Sequence, residues 1–104
     1  MCGICGVVSR HDSALPDRAA LERMRDTLFH RGPDGAGLHL GPGVALGHRR
    51  LSIVDVVHGQ QPMTSEDGRY VVVYNGEVFN HPTLKPQLEA EGVHYRTRSD
   101  TETV

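Results

Sequence analysis

With 104 residues the chain has material for one small domain and a single core. Eleven Lys and Arg against thirteen Asp and Glu leave a formal charge of -2, so no surplus of positive charge points to nucleic acid or an anionic membrane, and a small polar substrate suits the balance better. No stretch reaches the roughly 18 apolar residues of a membrane span, and the first residues lack the basic and apolar regions of a secretory signal, so the expected setting is cytoplasmic.

The run I-C-G-V-V-S at residues 4–9 is short, apolar and β-branched, and it stops at polar residues, which predicts a buried strand with Cys2 at its start. Asp17 is an N-cap candidate, and Leu21, Met24 and Leu28 recur at helical spacing, which predicts a helix over 18–29. Three glycines and a proline at 30–37 suit a loop where the backbone turns sharply or approaches something closely. Residues 38–40 and 44–48 read as strands of a hairpin joined by Gly41-Pro42-Gly43. A polar stretch over 57–68 reads as loop, and the β-prone run 69–74 as a central strand. Asn75-Gly76 before Glu77-Val78-Phe79 is a strong hairpin signal. A second helix is predicted over 82–91, opened by Pro82, bent at Pro86 and ended by Gly92. Residues 93–98 read as a strand, and Ser99 to Glu102 as the cap and first turn of a helix. A helix cut at its first turn has no apolar face to dock, so the expectation is that 1–104 is the truncated front of a longer domain.

Both cysteines lie within the first five residues, a placement that cannot staple a small secreted domain. Removal of Met1, normal when the second residue is small, would leave Cys2 with its thiol and a free α-amine on one residue. An α-amine with a pKa of about 8 can take the thiol proton, so nucleophile and base need no histidine. Cys2 and Cys5 also spell C-x-x-C, but a structural zinc site needs four ligands and the seven histidines are scattered singly. A redox C-x-x-C belongs at a helix N-terminus, whereas this one leads into a strand, so Cys5 reads as a small buried hydrophobe.

Attack of a thiolate on an amide creates an oxyanion that fixed donors must meet, and Asn75 and Gly76 can supply a side-chain amide and a backbone N–H. The same pair serves hairpins generally, and the two readings are compatible. An amino-acid substrate also needs its charges matched. Arg50 can fork onto a carboxylate, and Glu77 and Asp100 can accept from an ammonium group; a charged residue taken singly is more often solvated surface, and it is their co-occurrence with Cys2 that favours a site.

Six strings occur in order: M-C-G-I-C-G at 1–6, H-R-G-P-D-G at 30–35, R-L-S-I-V-D at 50–55, G-Q-Q-P at 59–62, Y-N-G-E-V-F-N at 74–80, and Ser99-Asp100. Together they resemble the glutaminase domain of class II glutamine amidotransferases, most closely that of the glutamine-hydrolysing asparagine synthetases. The resemblance implies an α+β, N-terminal nucleophile hydrolase fold, an αββα sandwich of antiparallel sheets, of which 1–104 holds the N-terminal part. It implies Cys2 as the nucleophile, Asn75 and Gly76 as the oxyanion hole, and Arg50 on the carboxylate of L-glutamine. Glu77 and Asp100 would hold the α-amine, Ile53 and Val54 would offer backbone along the pocket, and Arg31 and Asp34 would be structural. No cofactor is expected in this chain. ATP and magnesium are expected in a synthetase domain that receives the ammonia and activates aspartate, and homodimerisation is left open. The alternatives are an amidotransferase with another acceptor, such as a sugar phosphate or a peptide, an inactive folded fragment or interaction module, and, last, a redox or metal module.

Overall fold

The computed structural model describes residues 1–104 apart from 12, 13 and 54. Three strands, β1 (Gly3–Val8), β2 (Gly35–Gly41) and β3 (Val44–Arg50), form an antiparallel sheet in the order β1-β3-β2. β2 and β3 are joined by the two residues Pro42 and Gly43, with Gly41 facing Val44 across the ladder and Gly43 at a φ of 71° that a side chain would resist. Pairing of Ile4 with His48 and of His48 with Gly37 puts these three on one face, and period-two alternation adds Arg50. The other face carries Arg49 and is covered by the helix α1 (Arg18–Asp26), where Leu21 is completely buried and Asp26 accepts from the Arg49 guanidinium at 3.4 Å.

α1 starts where its cap predicts, with the Asp17 carboxylate accepting from the Ala20 amide at 2.7 Å. It ends at Asp26, three residues before the expected limit of Phe29. There the amides of Leu28 and Phe29 turn to carbonyls three residues back, at 3.0 and 3.1 Å, tightening the chain out of the α-helix. The expected loop over 30–37 is also shorter, because Gly35 to Gly37 already belong to β2. Their glycines answer to a close approach: a Cβ on Gly37 would lie 1.9 Å from the Gln61 carbonyl oxygen.

Beyond Arg50 the chain departs further from the sequence-based expectation. The loop predicted over 57–68 contains a short strand β4 (Met63–Thr64), which pairs with β5 (Val71–Val72) in a two-stranded antiparallel sheet. The central strand expected over 69–74 is thus two residues long, because its other donors go to side chains. Arg69 N–H bonds the Asp67 carboxylate at 3.1 Å, Tyr70 N–H the Ser65 hydroxyl at 3.0 Å, and Tyr74 N–H the Gln61 side-chain carbonyl at 2.5 Å. Nor does Asn75-Gly76 make a hairpin. Among the described residues, left-handed φ angles occur only at Gly43, Asp55, Gly68 and Gly92, so the pair lacks the positive φ of a type I′ turn, and Val78 N–H is taken by the Asp100 carboxylate at 2.7 Å.

The second helix α2 (His81–Ala90) lies within one residue of the predicted span and runs through Pro86. Gly92, at a φ of 99°, closes it in a Schellman motif, with Gly92 N–H on Glu89 O and Val93 N–H on Leu88 O. The strand expected over 93–98 is absent: the amides of Arg96 and Thr97 bond the Glu102 carboxylate at 2.6 and 2.8 Å, and that of Arg98 bonds Asp55 at 2.8 Å. At the end, Ser99 caps a 3-10 turn (Asp100–Thr103), accepting from Thr101 N–H at 3.3 Å. Antiparallel sheets with helices make the α+β arrangement that the sequence led us to expect, as far as 104 residues carry it. Among the described residues no helix is long and apolar enough to cross a membrane.

Candidate functional site

A cavity of about 310 Å³ opens on the β3 face opposite α1, a size that fits a small-molecule ligand. It is lined by Cys2, Arg50, Ile53, Asn75, Gly76, Glu77 and Asp100, together with Met1, Leu51 and others. These are the residues expected at the site, with the exception of Val54, which lies outside the described residues. A larger hollow of about 890 Å³, between β4-β5 and the end of α2, contains none of them and no cysteine, so size does not mark the site here.

Cys2 precedes β1, whose pairing with β3 brings it beside the end of that strand. Its sulfur is wedged against the backbone of Leu51, which donates to Sγ at 3.4 Å and whose carbonyl takes the thiol hydrogen at 3.7 Å. Cys5 is turned toward Gly47 and Arg25 on the α1 side, half-buried, and burial pushes its thiol up from the ordinary range. The two sulfurs of C-x-x-C therefore serve different faces. Among the described residues no group of three or more His, Cys, Asp and Glu is arranged to hold a metal ion.

Arg50 is the last residue of β3 and only 4% exposed. Arg50 lines the cavity, and its guanidinium donates to the carbonyls of Asp55 at 2.5 Å and Val56 at 3.0 Å, so the loop that carries Ile53 is tied to it. Asp34 braces the same segment: its amide donates to Arg50 O at 2.9 Å and its carboxylate accepts from Ser52 N–H at 2.8 Å, which agrees with a structural role. Arg31, grouped with it in the sequence reading, is solvent-exposed.

The Tyr74-Asn75-Gly76 segment is held from two sides. Tyr74 N–H bonds Gln61, and Tyr74 O faces His48 Nε2 at 3.3 Å. A Cβ on Gly76 would meet the Tyr74 ring at 2.6 Å, so only glycine fits there without moving that ring. Asp100, at the start of the 3-10 turn, bonds Val78 N–H and thereby docks that turn against 77–78, while Glu77 is exposed at the cavity edge.

Two residues given no role from sequence stand out. Gln61 is buried, and its side-chain amide joins Tyr74 N–H to the Thr101 hydroxyl, the second bond being 3.2 Å. Its presence in G-Q-Q-P was the available signal, but nothing local says where the amide points. His48 is fully buried on β3. Since Nε2 faces a carbonyl, the ring proton belongs there, and Nδ1 is left with no hydrogen-bond partner among the described residues. Burial, aided by the nearby Arg50 charge, holds the imidazole below the usual histidine range and so neutral.

Residues 1–104, the whole chain, match the family described as glutamine amidotransferase domain. The chain is 41% identical over 104 residues to asparagine synthetase [glutamine-hydrolyzing] 1 of Bacillus subtilis (strain 168), covering 98% of this chain and 16% of that protein. It is 40% identical to asparagine synthetase [glutamine-hydrolyzing] 2 of Oryza sativa subsp. japonica and 39% identical to asparagine synthetase [glutamine-hydrolyzing] 3 of Arabidopsis thaliana. All of this chain is covered in both, against 17% and 18% of those proteins. The chain thus spans less than a fifth of the length of these relatives.

Proposed function

This chain belongs to the glutamine amidotransferase family, and from that premise we propose that residues 1–104 carry the nucleophile and the glutamine-binding wall of a glutaminase. The observation that carries the reading is the meeting of Cys2, Arg50, Asn75, Gly76, Glu77 and Asp100 around one cavity, from segments up to 98 positions apart in the chain.

After removal of Met1, the α-amine of Cys2 takes the thiol proton and Sγ attacks the side-chain carbonyl carbon of glutamine. Negative charge builds on that carbonyl oxygen, where the Asn75 side-chain amide and the Gly76 N–H stabilise it. Collapse of the tetrahedral adduct breaks the C–N bond. The departing nitrogen collects the proton from the α-ammonium and leaves as ammonia, and water then cleaves the thioester to give glutamate. Arg50 holds the substrate carboxylate, and Glu77 and Asp100 its ammonium group, so that the reacting carbonyl is presented to the sulfur. Ile53 lines the pocket along the substrate. The names of the relatives support asparagine synthesis as the destination of the ammonia. On this reading ATP and magnesium act in a synthetase domain, none of whose chemistry is assigned to these residues.

The test is covalent labelling of the full-length protein by a glutamine-mimicking electrophile such as a diazoketone. We expect one adduct, on a peptide that begins with Cys2, and loss of both labelling and glutaminase activity, by at least about a thousandfold, in Cys2→Ala. Labelling that survives that substitution, or lands elsewhere, overturns the proposal.

A further inference from the structure

The groups assigned to the two ends of the substrate sit on separate elements, Arg50 at the end of β3 and Asp100 in the 3-10 turn. Recognition of an amino acid requires the distance between them to be held. Asp55 reaches both. Its carbonyl accepts from Arg50 Nη2, and its carboxylate is divided: Oδ2 accepts from the Arg98 amide at 2.8 Å, two residues before Asp100, while Oδ1 accepts from the His58 amide at 3.1 Å, with the His58 ring 3.3 Å away. The side chain is only 7% exposed. Asp55 is also the one non-glycine among the described residues with a left-handed φ, 46°, a conformation that points its carbonyl and its carboxylate to these different partners.

We propose that Asp55 is a positioning residue that locks the loop after β3 to the segment leading into Asp100 and so sets the spacing between the carboxylate-binding and ammonium-binding groups. This deepens the glutaminase reading and rests on it for the identity of the two ends. The chemistry favours a carboxylate. Each oxygen faces a backbone N–H, so an amide at this position would turn one acceptor into a donor against a donor. Asp55 touches neither the sulfur nor the oxyanion donors, so its contribution falls on binding.

The experiment compares Asp55→Gly and Asp55→Asn in the full-length protein. Glycine accepts the left-handed backbone but has no carboxylate, and asparagine tolerates the backbone and keeps one acceptor. We expect KM for glutamine to rise about 10- to 100-fold in Asp55→Gly and by less in Asp55→Asn, with kcat within about threefold of the parent. Hydrogen exchange gives a readout independent of turnover: the amides of Arg98 and His58 should exchange at least about tenfold faster in Asp55→Gly, with β1, β2 and β3 unchanged. A Gly variant with parental KM and parental exchange at Arg98 reduces Asp55 to a backbone residue and overturns the proposal, as does a fall confined to kcat. If the parent itself fails to label at Cys2, the glutaminase reading falls, while exchange at Arg98 and His58 still decides whether Asp55 is a latch. Faster exchange across the whole sheet in both variants would mean a general loss of stability and also overturns the assignment.

Discussion

From Gly3 to Arg50 the structure is held mainly by backbone meeting backbone: six paired positions join β1 to β3 and seven join β2 to β3. From Asp55 onward, α2 and its cap close on backbone, but around the cavity many backbone donors are met by side chains, Gln61 at Tyr74, Asp100 at Val78, Glu102 at Arg96 and Thr97, and Asp55 at Arg98, and the β4-β5 ladder has two pairs. The first half is a platform whose order is local and repetitive. The second, which supplies most of the cavity wall, is an assembly of single polar contacts, each of which one substitution removes. A site built this way has its nucleophile anchored beside a rigid strand and its recognition groups on segments that side chains lock in place.

Three experiments would break or sharpen that contrast. The largest effect should come where the halves press backbone on backbone. Gly37→Ala would drive a methyl to 1.9 Å from the Gln61 carbonyl oxygen, and we expect a loss of about 3 kcal/mol or more in urea unfolding. A variant as stable as the parent would show that the two layers can slide apart at no cost. Next, Gln61→Leu keeps bulk but strips the Tyr74 amide and the Thr101 hydroxyl of a buried partner, for an expected loss of about 2 kcal/mol. Hydrogen exchange should then speed at Tyr74 and leave β1 to β3 protected, whereas equal loosening of the sheet would mean that the halves unfold as one unit.

The smallest effect is a pH dependence at the junction, where His48 of β3 meets the Tyr74 carbonyl. Its folded pKa lies below the unfolded value of about 6.5, so its contribution is complete above that pH and is lost as the pH falls through the depressed folded value. Melting temperature should therefore drop between pH 7.5 and 5.5 by more in the parent than in His48→Gln, which keeps a donor but cannot titrate there. Identical drops would remove His48 from the account.

The elements that were legible are those whose causes are local. A short β-branched apolar run marked β1, although Ile4 and Val8 are exposed rather than buried as expected, because one side of the strand has no covering layer over them among the described residues. The Asp17 cap marked the start of α1, Pro42-Gly43 marked the hairpin, and Gly92 marked the end of α2. The misreadings fall where a side chain competes for the backbone. The Asn75-Gly76 hairpin and the strand over 93–98 were reasonable on propensity, yet Asp100 and Glu102 claim the donors those structures would have used. The candidate site was legible through its strings rather than through any one residue. Cys2, Arg50, Asn75, Gly76, Glu77 and Asp100 do line one cavity, whereas Gln61 and Asp55 lie within two of the strings without their contacts being legible there, and His48 lies outside the strings altogether.

By itself the sequence determined the family, the place of a thiol at the second position, and those elements whose hydrogen bonds close within a few residues, because periodicity and capping are properties of neighbours. Tertiary structure decided which acceptor each remaining backbone N–H meets and hence where the recognition groups stand. A buried amide must be satisfied but is indifferent to the source of the oxygen, and that choice between ladder and side chain is made at separations from two residues at Asp67 to 43 at Asp55, so only the packed chain shows which competitor is within reach.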